Sequence, residues 1–209
     1  MPDLFKSKAG DWDERPIPAQ ISAGVGRALL ERVALRDDMQ VMDFGAGTGL
    51  ICAQVAPHVA KVLAVDISEA MLSKLAEKPE LAGKVETICQ DVLKSPLGRR
   101  VDLVVSAMAM HHVQDTERLV RVFAEHLVAG GRIALADLDS EDGSFHPPGA
   151  EGVFHAGFDR DALRAILERH GFTDVDFRTA QELEREGKHY SVFLVTAVRK
   201  ELVVFEPLA

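Results

Sequence analysis

The chain has 209 residues, which leaves room for one domain with a sizeable core and too little for two full ones. Hydrophobic residues make up 47% of it and no repeat or low-complexity tract is present, a composition that excludes a fibrous or wholly disordered chain. Asp and Glu total 33 against 24 Lys and Arg, a net charge of −9 with no dense basic cluster, so small-molecule or protein partners are expected and nucleic acid is not. No run approaches the roughly 18 apolar residues of a membrane span, and the opening MPDLFKSKAGDWDERP lacks the apolar core of a signal peptide. No membrane association is expected, and the cytoplasm is the expected compartment. Cys52 and Cys89 are too few for a disulfide framework and are read as reduced thiols.

Residues 1 to 17 carry few periodic signals, and Pro2, Pro16 and Pro18 argue for an irregular arm. A helix is predicted from about Ala19 to Val33, with Ile21, Val25, Leu29 and Val33 on one apolar face. The stretch from Gln40 to Asp66 then reads as strand, glycine turn, helix and strand. Val41, Met42 and Phe44 are apolar around Asp43, and Gly45, Gly47 and Gly49 let the backbone turn sharply and come close to a ligand. Thr48 is placed to cap a helix of about two turns, which Pro57 closes. The second strand, VLAVD, ends on Asp66, where a carboxylate can accept from both ribose hydroxyls of a nucleoside.

The glycine spacing is GxGxG and not the GxGxxG of nicotinamide and flavin enzymes. Asp43, two residues before the first glycine, would repel a pyrophosphate and suit a cation. S-adenosylmethionine satisfies both features: it has no phosphate, carries a sulfonium and an ammonium, and presents a carboxylate to a helix N-terminus.

Beyond Asp66, Ser68 is placed to cap a helix running to about Lys78. KVETICQD alternates as a third strand ending on Asp91, which has two readings: an acceptor for a bound base, or the cap of the turn VLKSPL. VDLVVSA is a continuous apolar run, as expected of a parallel strand covered on both faces, and ligands bind beyond the carboxyl ends of such strands. Ser106 to His112 should therefore face the ligand. Asp115 or Thr116 starts a helix with Leu119, Val122, Phe123 and Leu127 on its apolar face, ended by Gly130-Gly131. RIALADLD is the fifth strand. Residues 139–158 read as a long loop, more often functional than idle at that length. A helix capped by Asp159 runs to His170 and ends at Gly171. VDFRTAQEL and HYSVFLVTAV pair antiparallel across Glu182 to Lys188, with Tyr190 either near the site or on the surface.

In DFGAGTG the chain resembles the class I S-adenosylmethionine-dependent methyltransferases, and the likeness extends to Asp66 in AVDIS, Asp91 in CQDVL and the loop SAMAMHHVQD. The resemblance implies a single α/β domain over 1–209, with a Rossmann-like doubly wound seven-stranded sheet, mostly parallel with an antiparallel C-terminal strand, in the order 3-2-1-4-5-7-6. It implies S-adenosylmethionine as cofactor, S-adenosylhomocysteine as product, and in-line methyl transfer to a small-molecule acceptor. The residues that would hold the cofactor are Asp43, Gly45, Ala46, Gly47, Gly49, Asp66, Ile67, Asp91, Val92, Ser106, Ala107 and His111. Trp12 joins them if residues 1–35 supply a lid with Asp13; the alternative is that Trp12 plugs a surface groove. The 139–158 loop becomes the acceptor lid, carrying Asp139, Glu141, Asp142, His146, Glu151 and His155. His111, His112, His146 and His155 are the candidates for a general base, with a structural role as the alternative for the first two. No ligand spacing such as HExxH is present, so no metal is expected. A protein that binds the cofactor without turning it over is the competing reading. The apolar tail ELVVFEPLA is expected to pack on the core or to support a homodimer.

Overall fold

A computed structural model describes residues 3–200. Seven strands form one sheet: β1 (Gln40–Phe44), β2 (Lys61–Asp66), β3 (Val85–Cys89), β4 (Val101–Ala107), β5 (Leu127–Leu138), β6 (Phe172–Arg185) and β7 (Lys188–Arg199). Their order is β3-β2-β1-β4-β5-β7-β6, with β7 antiparallel to both of its neighbours, as the family resemblance implies. Strand alternation sorts the core into two layers. Val41, Val62, Ala64, Leu103 and Val105 face α1 (Pro16–Arg32), α2 (Cys52–Val55) and α3 (Glu69–Ala76). Met42, Leu63, Val104, Ile133 and Leu135 face α4 (Thr116–His126) and α5 (Arg160–Arg169). Most of these side chains are fully buried, each contributing about 1.5 to 3 kcal/mol of apolar transfer.

Three helix boundaries differ from the sequence reading. α1 starts at Pro16 and not near Ala19, because a proline in the first turn has no intrahelical N–H to lose. α2 is a single turn followed by a 3-10 turn over Ala56–His58, and Thr48 does not cap it: the N-cap position is Ile51, with no side-chain cap. α4 ends at His126, and Gly130-Gly131 falls within β5. There Leu127 pairs with Val101, the chain bulges through Gly130 at φ 73°, and pairing resumes at Arg132 opposite Leu103. Ser68, Asp115 and Asp159 cap α3, α4 and α5 through backbone amides three residues on. The terminal hairpin is tighter than predicted. Pairing runs to Arg185 opposite Lys188, leaving only Glu186 and Gly187 in the turn, at φ 54° and 76°. The tail ELVVFEPLA, from which a homodimer was an expectation, lies outside the described residues.

The long loop between β5 and α5 leaves and returns at one point. Asp139 bridges Phe158, and the Phe158 amide donates to Leu138 O at 2.8 Å. Gly157 makes this approach possible: its φ is 73°, and a Cβ there would lie 2.1 Å from Asp139 O. Gly157→Ala combines a disfavoured backbone with a backbone clash and should cost roughly 2 to 4 kcal/mol. Urea unfolding reads this directly; an unchanged midpoint would mean that the loop base is not closed against β5.

Candidate active site

The strand order reverses between β1 and β4, so their carboxyl ends diverge and open a crevice above the sheet. The glycine turn lies on one side of it. Gly45, Gly47 and Gly49 all have positive φ, for different reasons. A Cβ on Gly45 would meet Ala109 Cβ at 2.3 Å, and one on Gly49 would meet Leu75 at 2.7 Å, so both are packing glycines. A Cβ on Gly47 would meet no atom within 4 Å. Gly47 therefore faces open space, the cradle a ligand needs if it is to approach the backbone.

Two acids meet at this turn. Asp66 Oδ2 accepts the Gly47 amide and Oδ1 accepts the Ser68 amide, each at 2.8 Å. Burial pushes its carboxyl up, and those amides oppose the shift. Each oxygen keeps a further lone-pair direction for a hydroxyl donor. Asp43 is 1% exposed and lies beneath the turn, where its Oδ2 accepts the Cys52 thiol at 3.1 Å. Any action of Asp43 on a ligand is therefore electrostatic and made from below. Burial pushes its pKa up to about 7, and the nearby Asp66 adds to the shift.

The remaining predicted cofactor residues divide. Asp91 is in the turn-capping position: its Oδ1 accepts the Leu93 amide at 3.1 Å and its Oδ2 meets Lys94 Nζ at 2.7 Å. Val92 packs its side chain into the core. Ile67 is 67% exposed beside Asp66, an apolar shelf on the crevice rim. Ser106 is turned away, since its hydroxyl donates to Phe44 O at 2.8 Å and ties β4 to β1. Ala46 is buried and Ala107 half-buried at the ends of the two diverging strands.

Across the crevice, three of the four candidate histidines converge. Met108, at φ 56°, turns the chain sharply after β4, and a 3-10 turn over Met110–His112 follows. This brings His111 onto Asp137 of β5. His111 Nδ1–H donates to Asp137 Oδ1 at 2.7 Å, and Asp137 also accepts the amides of His111 and Leu138. Both residues are buried, and His111 Nε2 is left without a partner among the described residues. The His112 ring lies 4.1 Å and the His146 ring 4.9 Å from that of His111. His112 Nδ1–H donates to Gly152 O at 2.7 Å. Burial and the neighbouring His111 push His112 and His146 down to about 4, so both rings are neutral near pH 7. His155 is elsewhere: its Nε2 contacts Val113 O at 2.9 Å and pins the loop. Among the described residues no group of three His, Cys, Asp or Glu side chains is arranged to hold a metal ion.

Three of the four loop acids have structural partners, and Glu151 is exposed. Asp139 takes both arms of Arg160 at 2.6 Å, Glu141 accepts the Ser144 and Phe145 amides, and Asp142 pairs with Lys188. Tyr190 is buried under the loop, its hydroxyl 2.7 Å from Ser144 Oγ. Asp137, the acid that meets a histidine, is not singled out by the sequence pattern. Its signal is an acid inside the apolar run RIALADL.

The N-terminal arm folds over the crevice. Asp3 accepts the Ser68 hydroxyl at 2.8 Å, Asp13 accepts the Thr48 hydroxyl and pairs with Lys78, and Phe5 stands edge-on to both Trp12 and His112. The arm thus touches the glycine turn, the end of β2 and the histidine loop at once. Trp12 is half-buried within it.

A family model described as "Methyltransferase domain" matches residues 41–131. An uncharacterised methyltransferase of Geobacillus sp. strain WCH70 is 30% identical over 180 residues, 85% of this chain and 80% of that protein. One from Schizosaccharomyces pombe is 30% identical over 138 residues, and the matched region spans about half, 49%, of its length. Among solved structures, the N-methyltransferase NodS from Bradyrhizobium japonicum in complex with S-adenosyl-L-homocysteine superposes with a TM-score of 0.71 at 14% identity, covering 96% of this chain and all, 100%, of that one. At that identity the likeness is one of fold.

The buried acid under the turn has a consequence for stability. The unfolded chain ionises Asp43 at its ordinary 3.8, whereas the folded chain holds the proton to about 7. Between these values the native state binds the extra proton, so its stability is highest below about pH 4 and falls as pH rises, by on the order of 4 kcal/mol over about three units. Asp43→Asn should remove this slope and make the variant the more stable protein at pH 8. Urea titrations at pH 5 and pH 8 test this; parallel pH profiles for the two proteins would contradict it.

Proposed function

This chain belongs to the class I S-adenosylmethionine-dependent methyltransferase family, and on that premise we propose that it methylates a small hydroxyl-bearing acceptor with His111 as general base. The observation that carries the proposal is the buried His111–Asp137 pair, whose Nε2 has no hydrogen-bond partner among the described residues.

When bound, S-adenosylmethionine supplies a methyl group already activated on a sulfonium. The residues fit such a ligand. Asp66 has lone pairs left for ribose hydroxyls, Ile67 offers an apolar shelf to the base, Gly47 leaves room for close approach, and Asp43 supports a cation from beneath. Asp91 and Val92 follow β3, where they would meet the adenine edge.

On the acceptor side, Asp137 fixes the tautomer. A carboxylate on Nδ1–H leaves Nε2 as a lone pair, the form needed to take a proton from a hydroxyl. Asp137 then stabilises the imidazolium that results, the role a buried carboxylate plays behind any catalytic imidazole. His112 and His146, held neutral by burial, add polar walls without competing for the proton. Orientation supplies much of the remaining acceleration, since a nucleophile held in line about 3 Å from the methyl carbon needs little further activation. The arm excludes water from above through Asp3, Phe5 and Asp13, which suits a small acceptor better than a large surface.

Two variants test this reading. His111→Asn should lower kcat about 10²- to 10⁴-fold while leaving the affinity for S-adenosylhomocysteine within a few-fold. Asp66→Ala should do the reverse, weakening S-adenosylhomocysteine by roughly 1 to 3 kcal/mol through lost charge-assisted hydrogen bonds. Turnover is followed as S-adenosylhomocysteine released with a panel of phenols, sugars and amines. Full activity in His111→Asn would remove the base assignment, and cofactor binding with no transfer to any acceptor would favour a binding protein.

A further inference from the structure

We propose that Cys52 is a positioning residue for the cofactor: its thiol donates to the Asp43 carboxylate beneath the glycine turn and so keeps that acid available in its charged form near neutral pH. The inference rests on the cofactor reading given above and concerns the regulation of that site by pH.

Asp43 lies next to the last residue of β1 and Cys52 opens α2, so the two residues bracket the glycine turn in sequence and meet underneath it in space. Cys52 is fully buried and Asp43 almost so, and Sγ lies 3.1 Å from Oδ2. The groups that face Asp43 are few. From α2 comes Cys52, from the end of β2 comes the Asp66 carboxylate, which repels, and Lys78 beyond α3 is felt at the Cys52 sulfur. No Lys or Arg forms an ion pair with Asp43 among the described residues. Cys52 is therefore the side chain that favours its ionised form, against both burial and Asp66.

The thiol suits this role because it does not itself titrate in the relevant range. Burial first, and Asp43 second, push its pKa well above the ordinary thiol value, so it remains an S–H donor across physiological pH. A thiol is also a weak donor. It moderates the cost of the buried charge without abolishing it, which leaves Asp43 poised at about 7. A cation bound above the turn favours the ionised acid. Below that pH, binding must expel the proton, and affinity should fall up to tenfold per unit.

The test is calorimetric titration of the full chain with S-adenosylhomocysteine, whose ammonium supplies the cation, between pH 5.5 and 8.5. Wild type should show a break near pH 7. Cys52→Ala and the nearly isosteric Cys52→Val, both without a donor, should move the break upward by about one unit and weaken binding at pH 7 about three- to tenfold, with little change at pH 8.5. Cys52→Ser, which restores a donor, should return the break to the wild-type value or lower. Unfolding in urea without ligand gives an independent readout: the pH window over which stability falls should extend upward in the donor-less variants. A break at the same pH in wild type, Cys52→Ala and Cys52→Val overturns the inference while leaving the cofactor reading intact. PH-independent binding in wild type overturns the role of Asp43 and this inference with it, and absence of binding overturns both this and the cofactor reading.

Discussion

The constraint on which the rest of the structure depends is the turn from β1 into α2. A parallel sheet whose strand order reverses between β1 and β4 must send both chains away from the crevice, and the β1 chain does so through three left-handed glycines in five residues. Two of them allow close packing on the β4 loop and on α3, and the third leaves space open. Without that turn Asp43 could not be buried against Cys52, the Gly47 amide could not reach Asp66, and Thr48 could not anchor the arm through Asp13. The buried acid, the docked arm and the sheet centre are thus set by one backbone conformation.

The two halves of the crevice handle buried charge differently. At the glycine turn, two carboxylates are kept near one another with thiol and amide donors, an arrangement that costs stability. At the histidine cluster, Asp137 is met by two amides and an imidazole N–H, and the flanking His112 and His146 rings are held neutral by burial.

Much of this was legible in the sequence because it was local. Continuous apolar runs in VLAVD and VDLVVSA placed the buried strands, the glycine spacing placed the turn, and Ser68, Asp115 and Asp159 marked helix starts by their own side-chain chemistry. What could not be read was long-range or depended on backbone strain. Asp137 and His111 are 26 residues apart and meet only because Met108 takes a left-handed conformation. Thr48 looked like a cap because the sequence does not show Asp13 returning over it. Asp139 and Asp142 looked free because Arg160 and Lys188 reach them from other elements, and Ser106 looked like a ligand contact because its acceptor is on a neighbouring strand. Gly130-Gly131 marked a bulge in a strand and not the end of a helix, since pairing with β4 outweighed the local stop signal.

The most direct measurement of the central claim is calorimetric titration of the purified chain with S-adenosylhomocysteine and, in parallel, with NAD. The account predicts saturable one-to-one binding of the first at micromolar affinity and no heat from the second, because Asp43 lies beneath a turn spaced for a cation. Binding of NAD, or of neither ligand, would contradict it.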